Sequence, residues 1–207
     1  MNNEAREMRC YGAPGFFREI IFMEDPIMET LARFNRGLVL VYTGDGKGKT
    51  TAALGQALRT AGHGNKVLVV QFMKGKKYGE VLAAEKYLAG MLTMVQCGLD
   101  SFVMKNNPAA VDIELARQGL ALAKKAMASG DYQMVILDEI NVALDFKLVP
   151  LEEIIEIITT KPSALDLILT GRYAPAEVVE LADMVSEVRE IKHHLAQGIK
   201  ERAGIEY

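Results

Sequence analysis

The chain has 207 residues, of which 50% are hydrophobic and 25% charged, and this composition fits one globular α/β domain with a sizeable core. The formal net charge of −3 argues against broad binding to nucleic acid or to a membrane surface. The cysteines, Cys10 and Cys97, have neither metal-ligand nor disulfide spacing. With no apolar run of roughly 18 residues and no signal-peptide pattern, we expect a cytoplasmic protein.

Residues 1–36 differ from the rest of the chain. Residues 8–17 read MRCYGAPGFF, which is rich in Gly, Pro and aromatic side chains, and a helix is predicted to start near Pro26. We interpret residues 1–36 as an N-terminal extension. A partly disordered segment and a mobile cap over the following domain both remain open.

From residue 37 onward, apolar runs alternate with helical patterns. Several of the runs are apolar throughout, which indicates burial on both faces and therefore a mostly parallel sheet covered by helices. Strands are predicted at residues 38–42, 66–72, 91–97, 133–138, 165–170 and 184–191, and helices at residues 49–61, 80–89, 108–129, 150–160 and 174–182.

The segment TGDGKGKTT, residues 43–51, lies between the first predicted strand and the first predicted helix. Its glycines let backbone N–H groups converge on phosphate oxygens, and the start of the helix adds partial positive charge. The pattern departs from G-x-x-x-x-G-K-[ST] at Thr43, and a plain surface loop is the alternative. The candidate triphosphate-binding residues are Gly44, Asp45, Gly46, Lys47, Gly48, Lys49, Thr50 and Thr51. We therefore predict an α/β domain over residues 37–207 with P-loop NTPase (RecA-like) architecture.

Two carboxylates, Asp138 and Glu139, end the apolar strand VILDE. Because the carboxyl ends of parallel strands meet at one edge of a sheet, both should lie near the phosphate loop. Asp138 and Glu139, with the Thr50 hydroxyl, are the candidate ligands of Mg²⁺ or its waters. The alternative for Asp138 is a helix N-cap. Glu139 could also activate water, which keeps a hydrolase open.

Other residues are expected on the same edge of the sheet. Arg172, in TGRYAP, would bind phosphate or a ribose-side group, unless it is a solvated arginine in a turn. Arg59 would reach the phosphates if it faces the sheet, and it would otherwise be a helix-surface residue. Phe102 and Met104 could cover a flat apolar ligand or pack into the core.

The histidines near the C-terminus give a weaker signal. His193 and His194 are adjacent in sequence. Adjacent side chains point in different directions on a helix, so we expect no shared metal site there.

Taken together, these segments resemble the ATP:corrinoid adenosyltransferase family. The resemblance extends from residue 37 to the last residue. It is carried by GLVLVYTGDGKGKTTAALGQALRTAGHGNKVLVVQFMKG, VILDEINVALDFKLVPLEEII, LILTGRYAP and IKHHLAQGIKERAGIEY. The phosphate loop alone is generic, but the run through GHG to QFMKG, followed by LTGR and the GIEY tail, is far more specific. Thr43 also fits the pattern of this family.

The resemblance implies transfer of the 5′-deoxyadenosyl group of ATP to the Co(I) centre of a reduced corrinoid, with release of triphosphate. The phosphate loop would then hold a leaving group, and Co(I) is nucleophilic enough to need no protein base. Lys49, Thr50 and Glu139 are the implied catalytic residues, with Thr50, Asp138 and Glu139 at Mg²⁺ or Mn²⁺.

The resemblance also implies positions around the two substrates. Arg59 and Arg172 would lie around the nucleotide, and Phe102 would close the lower face of cobalamin or another corrinoid. Met104 stands where better-known members have a second aromatic residue, and residues 1–36 differ from the polar helix typical of the family. Further implied partners are a flavoprotein reductant and a second copy of the chain in a homodimer, with neither nucleic acid nor membrane.

Two other functions remain open on the sequence. A RecA-like P-loop ATPase or small-molecule kinase would hydrolyse ATP without a corrinoid. A nucleotide- or corrinoid-sensing regulator would bind without turnover. A corrinoid titration separates the three.

Overall fold

The structure is a computed structural model that describes residues 36–101 and 103–207. The predictions made for residues 1–35, including the helix near Pro26 and the cap, lie outside the described residues. So does the prediction for the side chain of Phe102.

The described chain contains a six-stranded sheet in which every neighbouring pair of strands is parallel. The strands are β1 (Val39–Thr43), β2 (Val67–Phe72), β3 (Leu92–Cys97), β4 (Met134–Asp138), β5 (Asp166–Thr170) and β6 (Met184–Glu187). Their order in the sheet is β3-β2-β4-β5-β1-β6. This confirms the predicted α/β class with a parallel central sheet.

Helices pack against both faces of the sheet because the central strands present apolar side chains to both faces. On β1, Val39 and Val41 face one apolar cluster, whereas Leu40 and Tyr42 face the other. The helices are α1 (Lys49–Gly62), α2 (Gly79–Tyr87), α3 (Ala110–Ser129), α4 (Ile140–Asp145), α5 (Leu151–Thr160) and α6 (Ala176–Leu181). The first cluster includes buried residues of α3, α5 and α6, and the second includes those of α1 and α2.

Two features of the fold differ from the sequence-based expectation. Strand β6 was expected to extend over residues 184–191 but ends at Glu187. Beyond it the chain contacts the phosphate loop, where the Val188 carbonyl accepts a hydrogen bond from the Gly46 amide at 2.8 Å. The short helix α4 and a 3₁₀ turn at His194–Gln197 were not predicted, since both are too short to show a periodic pattern.

The topology brings the ends of several strands to one edge. Strand β5 lies between β1 and β4, so the phosphate loop after Thr43 and the carboxylate of Asp138 flank Thr170 at the end of β5. This edge is where open parallel sheets bind ligands. None of the helices in the described part of the chain is long and apolar enough to cross a membrane.

Candidate active site

The glycine-rich loop follows β1 directly and leads into α1. Gly44 has φ +94°, and a Cβ atom there would lie 2.4 Å from the carbonyl oxygen of Val188. Gly48 has φ +127° and its carbonyl accepts the first helical hydrogen bond of α1, from Ala52, at 2.7 Å. The left-handed backbone and the close approach of Val188 both require glycine here. The conformation of the loop therefore requires glycine at positions 44 and 48.

Thr43 departs from the common phosphate-loop pattern, and the structure gives a physical reason for it. The residue is the last of β1 and pairs with Glu187 of β6, so its backbone is extended and needs no glycine. Its side-chain oxygen accepts a hydrogen bond from the Ala174 amide at 3.3 Å. Thr43 thus links the phosphate loop to the segment after β5.

Lys49 begins α1 and is only 7% exposed. Its ammonium group donates a 2.7 Å hydrogen bond to the Gly46 carbonyl, which keeps the charge inside the curve of the loop. Burial lowers the pKa of Lys49, while the nearby Glu139 carboxylate raises it in part. A bound polyphosphate would replace the carbonyl with a stronger, charged partner.

Asp138 is the centre of a hydrogen-bonded group beneath the loop and is 1% exposed. One carboxylate oxygen accepts from the hydroxyls of Thr50 at 2.9 Å and Thr170 at 2.7 Å. The other accepts from the Gln71 amide at 3.1 Å and the Lys74 ammonium at 2.9 Å. Both oxygens are therefore fully engaged. Asp138 is placed to hold the Thr50 hydroxyl from behind rather than to face the cavity itself.

Glu139 follows Asp138 with a left-handed backbone, φ 63°. Its amide donates a 2.9 Å hydrogen bond to the Thr170 hydroxyl, and this contact supports the strained conformation. Burial, and then the negative charge of Asp138, raise the pKa of Glu139. A half-buried carboxylate with a raised pKa binds a cation favourably, because the cation removes the cost of the buried charge.

Lys74 lies at the end of the segment after β2, with its side chain 18% exposed. Burial disfavours its charge, but Asp138, with Glu139 and Glu80, raises the pKa of Lys74 overall. Its ammonium also lies 3.5 Å from the Thr50 hydroxyl. The positive charge of Lys74, favoured by these carboxylates, therefore lies next to the candidate phosphate and metal positions.

A cavity of about 780 Å³ opens above these groups. Among the predicted residues, its lining contains Asp45 to Thr51 of the loop together with Glu139 and Arg172. Arg59 is not among the lining residues. It is exposed on α1, and its guanidinium lies 3.4 Å from the side-chain oxygen of Gln56. The structure thus brings Arg172, but not Arg59, to the cavity.

A second wall of the cavity comes from the C-terminal segment, which the sequence analysis did not assign to the site. It contributes His193, Leu195, Ile205, Glu206 and Tyr207. The Glu206 carboxylate of this wall lies 3.9 Å from the Lys47 ammonium of the phosphate loop. The Tyr207 ring also packs near Tyr78, with centroids 6.2 Å apart.

Two polar residues of the Asp138 group were likewise missed. Gln71 and Thr170 are fully buried near the carboxyl ends of β2 and β5. A polar side chain at such a position is a sequence signal in itself, because its burial requires a hydrogen-bond partner. The side chain of Met104 is 69% exposed and does not pack into the core, which was one of the two alternatives for it.

Comparisons with known proteins identify the family. The model of the family ATP:corrinoid adenosyltransferase BtuR/CobO/CobP matches residues 35–207. The corrinoid adenosyltransferase of Escherichia coli K12 is 38% identical over 177 residues, which cover 85% of this chain and 88% of the relative. The corrinoid adenosyltransferase CobA of Salmonella typhimurium LT2 is 36% identical over 177 residues, with the same coverage of 85% and 88%.

A solved structure agrees with the fold. The KaiC-like protein PH0186 of Pyrococcus horikoshii OT3 superposes with a TM-score of 0.51 at 18% identity, covering 76% of this chain and 75% of that one. This likeness concerns the architecture alone and fits the predicted P-loop arrangement. The sequence comparisons extend over nearly the whole described domain. The chain therefore belongs to the ATP:corrinoid adenosyltransferase family.

Proposed function

We propose that the protein transfers the 5′-deoxyadenosyl group of ATP to the Co(I) centre of a reduced corrinoid and releases triphosphate. The observation that carries the proposal is the buried group of Thr50, Lys74 and Asp138 directly beneath a glycine-rich loop. It supports a phosphate site at the floor of a cavity large enough for a nucleotide. Family membership supports the corrinoid as the acceptor.

The phosphate loop would act on the leaving group. Cobalt attacks the 5′ carbon, the carbon–oxygen bond breaks, and its electron pair leaves with the triphosphate. The Lys49 ammonium, with Lys74 and Arg172 at the same cavity, would neutralise the charge that develops on the triphosphate oxygens. No side chain has to remove a proton, so the protein's work is to align the reactants and exclude water.

The residues present fit a divalent cation of the Mg²⁺ or Mn²⁺ type. The Thr50 hydroxyl donates its hydrogen bond to Asp138, which leaves a lone pair of its oxygen available to a cation in the cavity. Glu139 adds a carboxylate there. Oxygen ligands of this kind are what both ions prefer. The cation would supply positive charge at the phosphates. Asp138 would position Thr50 rather than bind the cation directly.

Phe102 would close the lower face of the corrin ring. This role follows from the family resemblance, and Phe102→Ala tests it. We expect the variant to lose adenosylation of a reduced cobalamin far more than ATP binding. An equal loss of both would refute the lower-face role.

The remaining expectations for this protein are cellular. We propose a cytoplasmic homodimer that receives reduced corrinoid with the help of a flavoprotein reductant. Sedimentation of the pure protein tests the dimer. Reconstitution with a flavoprotein and its reductant, in place of a chemical reductant, tests the electron supply.

An anaerobic assay tests the reaction. The pure protein is mixed with ATP, Mg²⁺ and chemically reduced cobalamin, and the visible spectrum is followed before and after exposure to light. A light-labile alkylcobalamin spectrum is the expected result. An unchanged spectrum with accumulating ADP and phosphate would instead indicate an ATPase or kinase.

A further inference from the structure

Three side chains of metal-binding type lie together in the C-terminal segment. They are His193, His194 and Glu206, and their candidate donor atoms all lie within 4.8 Å of one another. Nε2 of His194 is 3.7 Å from Oε1 of Glu206. Nitrogen and oxygen donors about 2.0–2.2 Å from a tetrahedral Zn²⁺ are roughly 3.4 Å apart. Rotations of the two imidazole rings about their side-chain bonds would bring these atoms to a metal-binding arrangement.

The backbone explains how two adjacent histidines face the same place. His193 is extended, with φ −127° and ψ 139°, and precedes the 3₁₀ turn that begins at His194. The two rings lie side by side, with centroids 4.6 Å apart and planes inclined by 25°. The expectation that they point in different directions assumed a continuous helix, and the change of backbone conformation between them removes that objection.

Two of the donor atoms lack partners. Nε2 of His194 and Oε1 of Glu206 are shielded from solvent, and no hydrogen bond to either exists within the described part of the chain. Burying such groups without a partner is unfavourable, because the hydrogen bonds that they made to water are lost. Their 3.7 Å separation is too long for a hydrogen bond, and an ion pair would need a protonated imidazole. A bound cation would satisfy both atoms.

The surroundings also fit a metal. Nδ1 of His193 accepts only a long bond of 3.3 Å from the Leu195 amide, so that exchanging it for a metal bond costs little. The other oxygen of Glu206 faces Lys47 of the phosphate loop at 3.9 Å. The site thus lies beside the nucleotide cavity but uses none of the residues assigned to Mg²⁺.

We propose that His193, His194 and Glu206 bind a divalent transition metal of the Zn²⁺ type, with a fourth position open to water or another ligand. Imidazole nitrogen favours such ions over Mg²⁺, which prefers oxygen. The metal links the two histidines to Glu206, twelve or more residues further along the chain, and so fixes the C-terminal wall of the cavity. This goes beyond the proposed function, which needs only the Mg²⁺-type cation at Thr50 and Glu139.

A zinc titration tests the site. The full chain, free of any purification tag and stripped of metals, is titrated calorimetrically with Zn²⁺ in excess Mg²⁺. We expect one Zn²⁺ per chain, bound more than about tenfold more weakly by His194→Ala and by Glu206→Gln. The third histidine, His63, lies exposed after α1, so His63→Ala is the matched control and should bind like the parent.

Melting temperatures distinguish loss of the metal site from a general disturbance of the fold in a variant. Bound Zn²⁺ should raise the melting temperature of the parent and of His63→Ala, but not that of Glu206→Gln, which keeps the shape of the side chain. Absence of Zn²⁺ binding, or equal binding by all four proteins, would overturn the proposal. Since adenosylation is assayed with Mg²⁺ alone, failure of that assay and failure of the zinc titration are distinguishable.

Discussion

The two walls of the cavity are built in different ways. At the strand ends, the buried carboxylate of Asp138 accepts four hydrogen bonds, which fix Thr50 and Lys74 before any ligand arrives. The C-terminal wall presents Leu195 and Ile205, each about half exposed. Its Glu206 carboxylate lies 3.9 Å from the Lys47 ammonium of the loop. Preorganised charge thus lies where phosphates are expected, whereas the C-terminal wall presents partly exposed apolar side chains.

Removing the charge on Lys49 should have the largest effect on activity. Lys49→Ala leaves the loop backbone without the ammonium that would bind the leaving triphosphate, so we expect adenosylation to fall by about 10²–10³-fold. Lys47→Ala is the control within the same loop, because that side chain is exposed and should cost less. Steady-state rates of both variants at saturating corrinoid make the comparison. Equal losses would mean that the buried position of Lys49 has no special role.

Neutralising Asp138 should have the largest effect on stability. Asp138→Asn leaves the Lys74 ammonium and the Thr50 hydroxyl without their charged partner, so we expect the free energy of unfolding to fall by about 3–5 kcal/mol. Urea unfolding measures this. The exposed pair of Lys77 and Glu85, 2.6 Å apart, provides the control. Glu85→Gln should cost less than about 1 kcal/mol, and a similar cost for both would remove the distinction between the buried group and the surface.

Neutralising Glu139 should change stability in the opposite direction to neutralising Asp138, because burial raises the pKa of Glu139. Folding favours the neutral carboxyl, so its contribution to stability is present at low pH and is lost as the pH rises through the folded-state pKa. Without ligands, Glu139→Gln should therefore match the parent in acid and be more stable than it near neutrality. Thermal melts across a pH series check this. If the parent gained stability over the variant as the pH rises, the burial argument would be contradicted. Binding of Mg²⁺–ATP should be weaker in the variant, because the carboxylate is lost.

The smallest effect is expected at the C-terminal wall. The Tyr207 ring lies 5.5 Å from the Lys76 ammonium, a contact worth about 0.5–1 kcal/mol. We expect Tyr207→Ala to raise the dissociation constant for ATP less than about tenfold and to change the free energy of unfolding little. Tyr87→Ala is the control, since that ring has a similar contact with Lys86 at 5.0 Å but does not line the nucleotide cavity. If the dissociation constant for ATP, measured for both variants, rose as much in Tyr207→Ala as in Lys49→Ala, the two walls would not differ.

The same contrast shows what could be predicted from the sequence. The strands and the loop at Gly44 follow from local patterns, because apolar runs and left-handed turns need particular residues where they occur. The partnership of Asp138 with Gln71 and Thr170 depends on strand order, which the pattern does not encode. The orientation of Arg59 depends on how α1 is rotated against the sheet. The C-terminal wall has no periodic pattern at all, so its position beside Lys47 could be learned only from the structure.

The central claim is that the phosphate loop holds a leaving triphosphate, and phosphorus NMR tests it most directly. ATP, Mg²⁺ and the protein are incubated anaerobically with and without reduced cobalamin, and the phosphorus products are quantified. Intact triphosphate, formed only with the corrinoid and in equal amount to the new cobalt–carbon bond, is the predicted result. ADP and phosphate formed regardless of the corrinoid would contradict the account.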